Sequence, residues 1–352
     1  MAVKSTEFEA LLDISATVGA DPQLVQGAGG NTSIKEGDTL WIKASGLWLK
    51  QARQRDVMVP VALEPLLEAL ERDDPATEKA QAFVIAERNP SGLRPSIETT
   101  VHALMPQKVV IHVHCVETIA TAVQANGEAI AAEKLAGIPH AFVPYARPGL
   151  PLAKAIAARL REDTRVLVLG NHGLVVAGET VAEAKALLEL ASTRLAWPVR
   201  QAPVPDLDAL ARLAVDSSYT LPEDPRLHDA ATDLESCRIT AGGSLYPDHV
   251  IFLGKSSEIA GPNETAASIE ARHAEEETTA SPTLLFPGKG VLVRKDITAG
   301  ALAMARCLSD VTLRIPEAAR LRYLTAAENA ELLGWDAEKY RQALNRAGQV
   351  LQ

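Results

Sequence analysis

Cysteine is scarce in this chain. Cys115, Cys237 and Cys307 are odd in number and far apart, which argues against a disulfide framework and fits a reducing cytoplasm. Aromatic residues make up only 4%, so the core must be built from Leu, Ile, Val and Ala. No stretch reaches the roughly 18 consecutive apolar residues of a membrane span. Residues 1–9 lack the apolar segment of a signal peptide. No Lys/Arg cluster is interleaved with aromatics, and the net charge is −10, so nucleic acid and membrane are not expected partners. Neither a Walker A loop nor Gly-x-Gly-x-x-Gly occurs, so nucleotide binding is not implied.

The remainder is ordinary globular material, 47% hydrophobic and 23% charged over 352 residues. That length suits two domains, or one large α/β unit with an extension. Pro198, Pro203 and Pro205 mark the best boundary, dividing 1–200 from 205–352. Helical patterns cover 5–19, 62–73, 97–104, 151–161 and 180–195, with further helix between the strand at 109–114 and about 135. Strand patterns cover 32–35, 39–44, 109–114, 141–144 and 166–169, and 174–176 follows a glycine turn. Beyond the boundary, 250–253, 283–286 and 291–294 read as strands. Residues 298–313 and 326–346 read as helices, and the polar stretch 255–280 as a loop with a surface helix. Residues 283–304 echo 166–187 in the order strand, glycine turn, strand, helix. In that echo Lys289 takes the place of His172, and a true duplication and a chance resemblance of common units are both open.

His112-Val113-His114 closes the apolar run Val109-Val110-Ile111. Residues i and i+2 of a strand project from one face, so two imidazoles would share one space. They would be two ligands of a divalent metal; in isolation they would equally be polar residues on the wet face of an edge strand. Cys115 would point the other way, as a small buried hydrophobe. His172 sits in the turn Gly170-Asn171-His172-Gly173, where a rigid scaffold can present a functional group; a turn residue is the plainer reading. Together the three histidines would leave a metal position open, the catalytic rather than the structural arrangement. Glu98 falls in the first turn of a helix that Ser96 would cap. There a carboxylate either serves the helix dipole or lies near the metal as ligand and proton shuttle. The loops Gly27–Ser33 and Ala44-Ser45-Gly46 and the helix start at Ser96 could bind an anion.

These motifs carry a resemblance. Gly30-Asn31-Thr32-Ser33, Ala44-Ser45-Gly46, Pro95-Ser96-Ile97-Glu98, His112-Val113-His114 and Asn171-His172-Gly173 follow the order and spacing of the class II aldolase/adducin family over residues 5–197. Each motif is weak alone, and five in order are specific. The resemblance implies an α/β fold of three layers, α/β/α, around a central mainly antiparallel sheet, followed by a C-terminal α/β extension. It implies that His112, His114 and His172 bind Zn2+, or another divalent metal such as Mn2+ or Co2+, with Glu98 as a further ligand or as the acid/base. It implies that Asn31, Ser45, Gly46 and Ser96 hold a substrate phosphate. Ile97 departs from the family's second serine, which puts the phosphate in question.

The activity so implied is metal-dependent aldol cleavage or formation of a C–C bond in a sugar phosphate or related hydroxy-carbonyl compound, through an enediolate. Glu98 favours this over 4-epimerisation, where the family carries aspartate. The alternatives are the sugar-phosphate 4-epimerase, a sugar-acid decarboxylase with Arg147 or Lys289 for the carboxylate, and a non-catalytic adducin-like scaffold. Tyr145 is a candidate second acid/base, its other reading being a core tyrosine with a hydrogen-bonded hydroxyl. The resemblance also implies a homo-oligomer. Tyr246-Pro247-Asp248-His249, Pro287–Gly290 and Glu338–Arg341 resemble the longer aldolase part of bifunctional rhamnulose-phosphate aldolase/dehydrogenases. Asp248 and His249 could serve a site, or His249 could be structural. His102, His140, His228 and His273 carry no supporting pattern.

Overall fold

A computed structural model describes residues 5–335. Its contacts divide into two compact units, the first running to Ala196 apart from residues 123–125, the second made of those three residues and the chain from Trp197.

The first unit opens with helix α1 (Thr6–Ala20), which Ser5 caps by accepting from the Phe8 N–H. Strands β1 (Asn31–Glu36), β2 (Thr39–Lys43) and β3 (Met58–Ala62) form a meander and lead to α2 (Leu63–Glu71). Helix α3 (Thr99–Leu104), strand β4 (Val109–Val113), helices α4 (Val116–Ala122) and α5 (Gly127–Lys134) and strand β5 (His140–Val143) follow. Helix α6 (Leu150–Ala157), strands β6 (Val166–Leu169) and β7 (Gly173–Gly178) and helix α7 (Val181–Leu195) complete the unit. The seven strands lie in the order β3-β2-β1-β4-β7-β6-β5. Every neighbouring pair is antiparallel except β5 with β6.

Both faces of this sheet are covered, which is why its central strands read as unbroken apolar runs. Val109, Ile111 and Val113 pack with residues of α1 and α7 on one side. Val110 packs with Val101 and Met105, and with Leu152 and Ile156 of α6, on the other. Helices on both sides of a mainly antiparallel sheet make the three layers. Each fully buried aliphatic side chain adds roughly 2 kcal/mol of hydrophobic stabilisation, so β4 is a rigid base for whatever projects from its end.

The second unit contains α8 (Leu207–Leu213), β8 (Tyr219–Thr220), α9 (Asp229–Thr232), α10 (Leu234–Ala241) and α11 (Pro247–Leu253). It continues with β9 (Glu258–Ile259), α12 (Ala266–Glu275), β10 (Thr283–Phe286), β11 (Gly290–Arg294), α13 (Ala299–Thr312) and α14 (Ala326–Gly334). Its sheet runs β8-β11-β10-β9. That order repeats β4-β7-β6-β5, and so does the sense of each pairing: antiparallel, antiparallel, parallel. The two hairpin turns match in detail. Leu169 pairs with Gly173 and Phe286 with Gly290. The second turn residue has positive φ in both, 53° at Asn171 and 71° at Gly288. The following helices are capped alike by Thr180 and Thr298. The sequence echo is therefore a repeat of topology. In its register Ile111 pairs with Val176 as Thr220 pairs with Val293. Continued past β8, that register puts Leu221 and Glu223 in the places of His112 and His114, and Lys289 in that of His172.

Some expectations need correcting. Residues 250–253 belong to a helix, α11, not a strand. Pro247 starts it at the first turn, and it is buried nearly all round, so periodicity could not separate the two states. The strand β3 gave no sequence signal, because Pro60 interrupts its apolar alternation. Helix α3 begins at Thr99 rather than at residue 97. Strand β4 ends at Val113, one residue before His114. Glu338–Arg341 and the end of the 326–346 helix lie outside the described residues. Among the described residues no helix is long and apolar enough to cross a membrane.

Candidate functional site

The site is assembled from the middle of the seven-stranded sheet. His112 leaves β4 on the face covered by α3, and the next residue facing that way is His114. His172 comes from the β6–β7 turn, beside β4 because β7 pairs with it. The ring centroids are 5.0 Å apart for His112 and His114, 4.9 Å for His112 and His172, and 5.1 Å for His114 and His172. One nitrogen from each lies within 4.8 Å of the others, and all three side chains are buried.

Glu98 completes the group. It is the N-cap residue of α3, yet its carboxylate makes no cap hydrogen bond. It turns instead to the histidines, with Oε2 3.4 Å from His112 Nε2 and Oε1 3.4 Å from His172 Nε2. Burial alone would raise this carboxyl. Electrostatic interaction with His112, His172 and His114, with the hydrogen bond from the Asn31 amide, outweighs it and holds the group at about 2, so it is a carboxylate at neutral pH.

These residues fit a divalent ion. His112 Nδ1 lies 3.0 Å from the Leu174 carbonyl. A carbonyl only accepts, so Nδ1 carries the proton and Nε2, on the Glu98 side, is the nitrogen with the lone pair. A backbone acceptor on the far nitrogen is how a metal-ligating histidine is oriented. The glycine loop makes the matching space: a β-carbon on Gly29 would sit 2.8 Å from His114 Nδ1, and one on Gly30 2.9 Å from the His112 carbonyl. These glycines are dictated by close packing against the histidine strand.

Asn31 pairs with His112 across β1 and β4, so the two side chains share a face. Its Nδ2 donates to Glu98 Oε2 at 2.9 Å and to Ser96 Oγ at 3.1 Å. Its Oδ1 is bonded to His102 Nε2, and His102 Nδ1 lies 2.7 Å from Ser33 Oγ. The Asn31 amide thus braces Ser96, Glu98 and His102. Ser96 accepts from Asn31 and from the Glu98 N–H at 3.2 Å, capping the turn before α3. Its own N–H donates to the Lys43 carbonyl, and the Ser45 N–H to the Arg94 carbonyl. Residues 43–45 and 94–96 are thereby zipped together, with Gly46 at φ 78° just beyond. Ser45 and Gly46 remain half-exposed, as does Ile97. Tyr145 is half-buried after β5, and a β-carbon on Gly170 would lie 2.9 Å from its backbone nitrogen. Cys115 is buried with Val113 in the core on the α1 side, as the alternation requires. In the second unit His249 is fully buried, and its Nδ1 accepts from the Leu245 N–H at 3.3 Å.

Sequence reading missed His102 and Lys43. His102 is fully buried. Burial first, then electrostatic interaction with His112 and Lys35, hold it at about 3 against the pull of Glu98. Its signal was available: Glu98, the N-cap, and His102 stand four apart, one helical turn, over Asn31 and Ser33, two apart on a strand. Lys43 is 2% exposed, and its Nζ donates to the carbonyls of Ala28 at 2.7 Å and Gly30 at 3.0 Å. A lysine in a strand gave no warning of burial.

Comparison with known proteins adds to this geometry. "Uncharacterized oxidoreductase YuxG" of Bacillus subtilis (strain 168) is 32% identical over 187 residues, 49% of this chain and 26% of that protein. The match thus spans about a quarter of that relative's length. The N-terminal class II aldolase domain of a conserved protein from Thermoplasma acidophilum is 27% identical with a TM-score of 0.47, covering 55% of this chain and 94% of that one. L-fuculose-1-phosphate aldolase from Thermus thermophilus is 17% identical with a TM-score of 0.37, covering 54% and 91%. The family profile described as "Class II Aldolase and Adducin N-terminal domain" matches residues 9–197, more than half of the sequence. The chain belongs to the class II aldolase and adducin family.

Proposed function

We propose that this chain is a metal-dependent class II aldolase, which cleaves or forms a C–C bond in a sugar phosphate or related hydroxy-carbonyl compound. The carrying observation is the Glu98 carboxylate, 3.4 Å from both His112 Nε2 and His172 Nε2. His112, His114 and His172 would hold the ion, zinc or another divalent metal such as Mn2+ or Co2+. When bound it supplies Lewis-acid stabilisation of the enediolate left by C–C cleavage. Glu98 holds the proton that moves to or from the enediolate carbon, and Asn31 keeps its carboxylate aimed at that place. Ser45, Gly46 and the backbone of the 94–96 segment orient the remote, anionic end of the substrate. The Ser96 hydroxyl, which accepts from Asn31 and from the Glu98 N–H, keeps its own proton to donate to that end, and Asn31 holds Ser96 and Glu98 in place. Tyr145 is the proposed acid/base for the aldehyde oxygen. By the resemblance, the protein works as a cytoplasmic homo-oligomer, which light scattering on the purified protein tests.

The test is metal analysis together with turnover on a panel of ketose phosphates and their dephosphorylated forms. His112→Ala is expected to lose both bound metal and activity. Glu98→Gln is expected to keep the metal and to slow solvent proton exchange at the donor carbon by about 100-fold or more. Full metal and full turnover in His112→Ala would defeat the reading. Wild-type protein without metal would favour the adducin-like alternative, and release of carbon dioxide the decarboxylase.

A further inference from the structure

We propose that His102 is a positioning residue for Glu98, acting through Asn31. The role rests on the aldolase reading, but the hydrogen-bond chain that carries it does not.

The chain of donors has one consistent direction. A carboxylate only accepts, so the end of the Asn31 amide at Glu98 Oε2, 2.9 Å away, must be the NH2 group. Its second hydrogen goes to Ser96 Oγ at 3.1 Å. The amide oxygen therefore faces His102 Nε2, and that nitrogen must carry the imidazole proton. His102 Nδ1 is then an acceptor, taking the Ser33 hydroxyl proton at 2.7 Å. Ser33, His102, Asn31, Ser96 and Glu98 are each 6% exposed or less, so water cannot easily replace a missing member.

The amide is symmetric in shape and not in charge. A half-turn about its terminal bond would put the oxygen against the Glu98 carboxylate. The N–H of His102 opposes that turn, because the flipped amide would present hydrogens to it. Removing that N–H frees the amide and leaves a buried oxygen unpaired. Glu98 would then lose the donor that aims it between His112 and His172. His102 touches none of the reacting atoms; it fixes the group that fixes Glu98.

The test uses full-length protein labelled with [15N]asparagine, with and without zinc, and two variants. His102→Phe keeps volume and removes the N–H. His102→Gln returns a donor towards Asn31 and an acceptor towards Ser33. The Asn31 side-chain NH2 resonances are expected to shift and exchange faster with solvent in His102→Phe, and to return towards wild type in His102→Gln. Deuterium exchange into dihydroxyacetone phosphate is expected to fall about tenfold or more in kcat in His102→Phe, with KM and zinc stoichiometry unchanged, and to recover in His102→Gln. Unchanged Asn31 resonances in His102→Phe would overturn the proposal. So would a His102→Gln variant as impaired as His102→Phe, since that marks a packing role alone. Should His102→Phe not fold, Ser33→Ala replaces it; a smaller shift of the same resonances supports the chain and no shift overturns it. If wild type exchanges nothing, the aldolase reading fails, and the resonances alone decide the chain.

Discussion

A β-carbon on Gly29 would stand 2.8 Å from His114 Nδ1 and 3.0 Å from its Cε1. Gly29 does not adopt a positive φ, so alanine is excluded by space rather than by backbone angle. Gly29→Ala is expected to fold and to push the His114 ring out of line with His112 and His172. Zinc affinity should fall by about tenfold or more, read by competition with a chromophoric chelator. Wild-type affinity in this variant would show that His114 does not need its present place.

Lys43 is expected to pin the glycine loop. Its two bonds to the carbonyls of Ala28 and Gly30 reach them in the interior, where a lost donor is not replaced by water. Lys43→Met keeps the apolar stem and removes the ammonium. A loss of roughly 2–4 kcal/mol in unfolding free energy is expected, measured by urea denaturation. A loss below about 0.5 kcal/mol, the range of ordinary surface changes, would contradict it.

Acid should destabilise the metal-free chain from well above the carboxylate range. His102 is held at about 3 against an ordinary 6.5, by burial foremost. Between those values the unfolded chain binds a proton that the folded one refuses. Stability from this group is therefore complete above pH 6.5 and is lost as pH falls towards 3, at up to about 1.4 kcal/mol per pH unit. His249, lowered to about 4 by burial, adds a loss of the same sign. Denaturation of metal-free wild type and His102→Gln at pH 7 and pH 5 should show the smaller drop in the variant; equal drops would count against a neutral buried His102.

One ion per chain is expected, not two. The second unit repeats the β4-β7-β6-β5 arrangement, but by the register continued past β8, Leu221, Glu223 and Lys289 correspond to the three ligand positions. An aliphatic, one carboxylate and a cation cannot hold a divalent ion. Elemental analysis of the zinc-saturated protein should give one zinc per chain, and none after His112→Ala. A second tightly held ion that survives that substitution would refute the correspondence.

Much of the first unit was legible. β1, β2, β4, β6 and β7 and the helices α1 and α7 follow from period and turn chemistry, and so does the shared face of His112 and His114. Periodicity failed where burial was complete. In α11, Val250–Leu253 is apolar in every position, and such a run suits a buried strand and a buried helix alike. Glu98 was placed in the first turn of α3 but stands at its N-cap, because Ser96 caps the turn before. Asn31 was read as a holder of substrate phosphate; that its amide hydrogens go to Ser96 and Glu98 was not legible.

By itself the sequence determined which side chains share a strand face or a helix turn, since fixed repeats of two and 3.6 residues follow from backbone geometry alone. The shared face of His112 and His114 rests on that, whereas membership of the family rests on five motifs in order along residues 9–197. Only the tertiary structure decided that Glu98 meets two imidazoles, that Gly29 yields its space to His114, and that His102 stands behind Asn31. Those contacts join segments far apart in the chain: 67 positions separate Asn31 from Glu98, and 71 separate Asn31 from His102. No local repeat encodes such a distance. It is set by β1 pairing with β4 and by the packing of α3 over both.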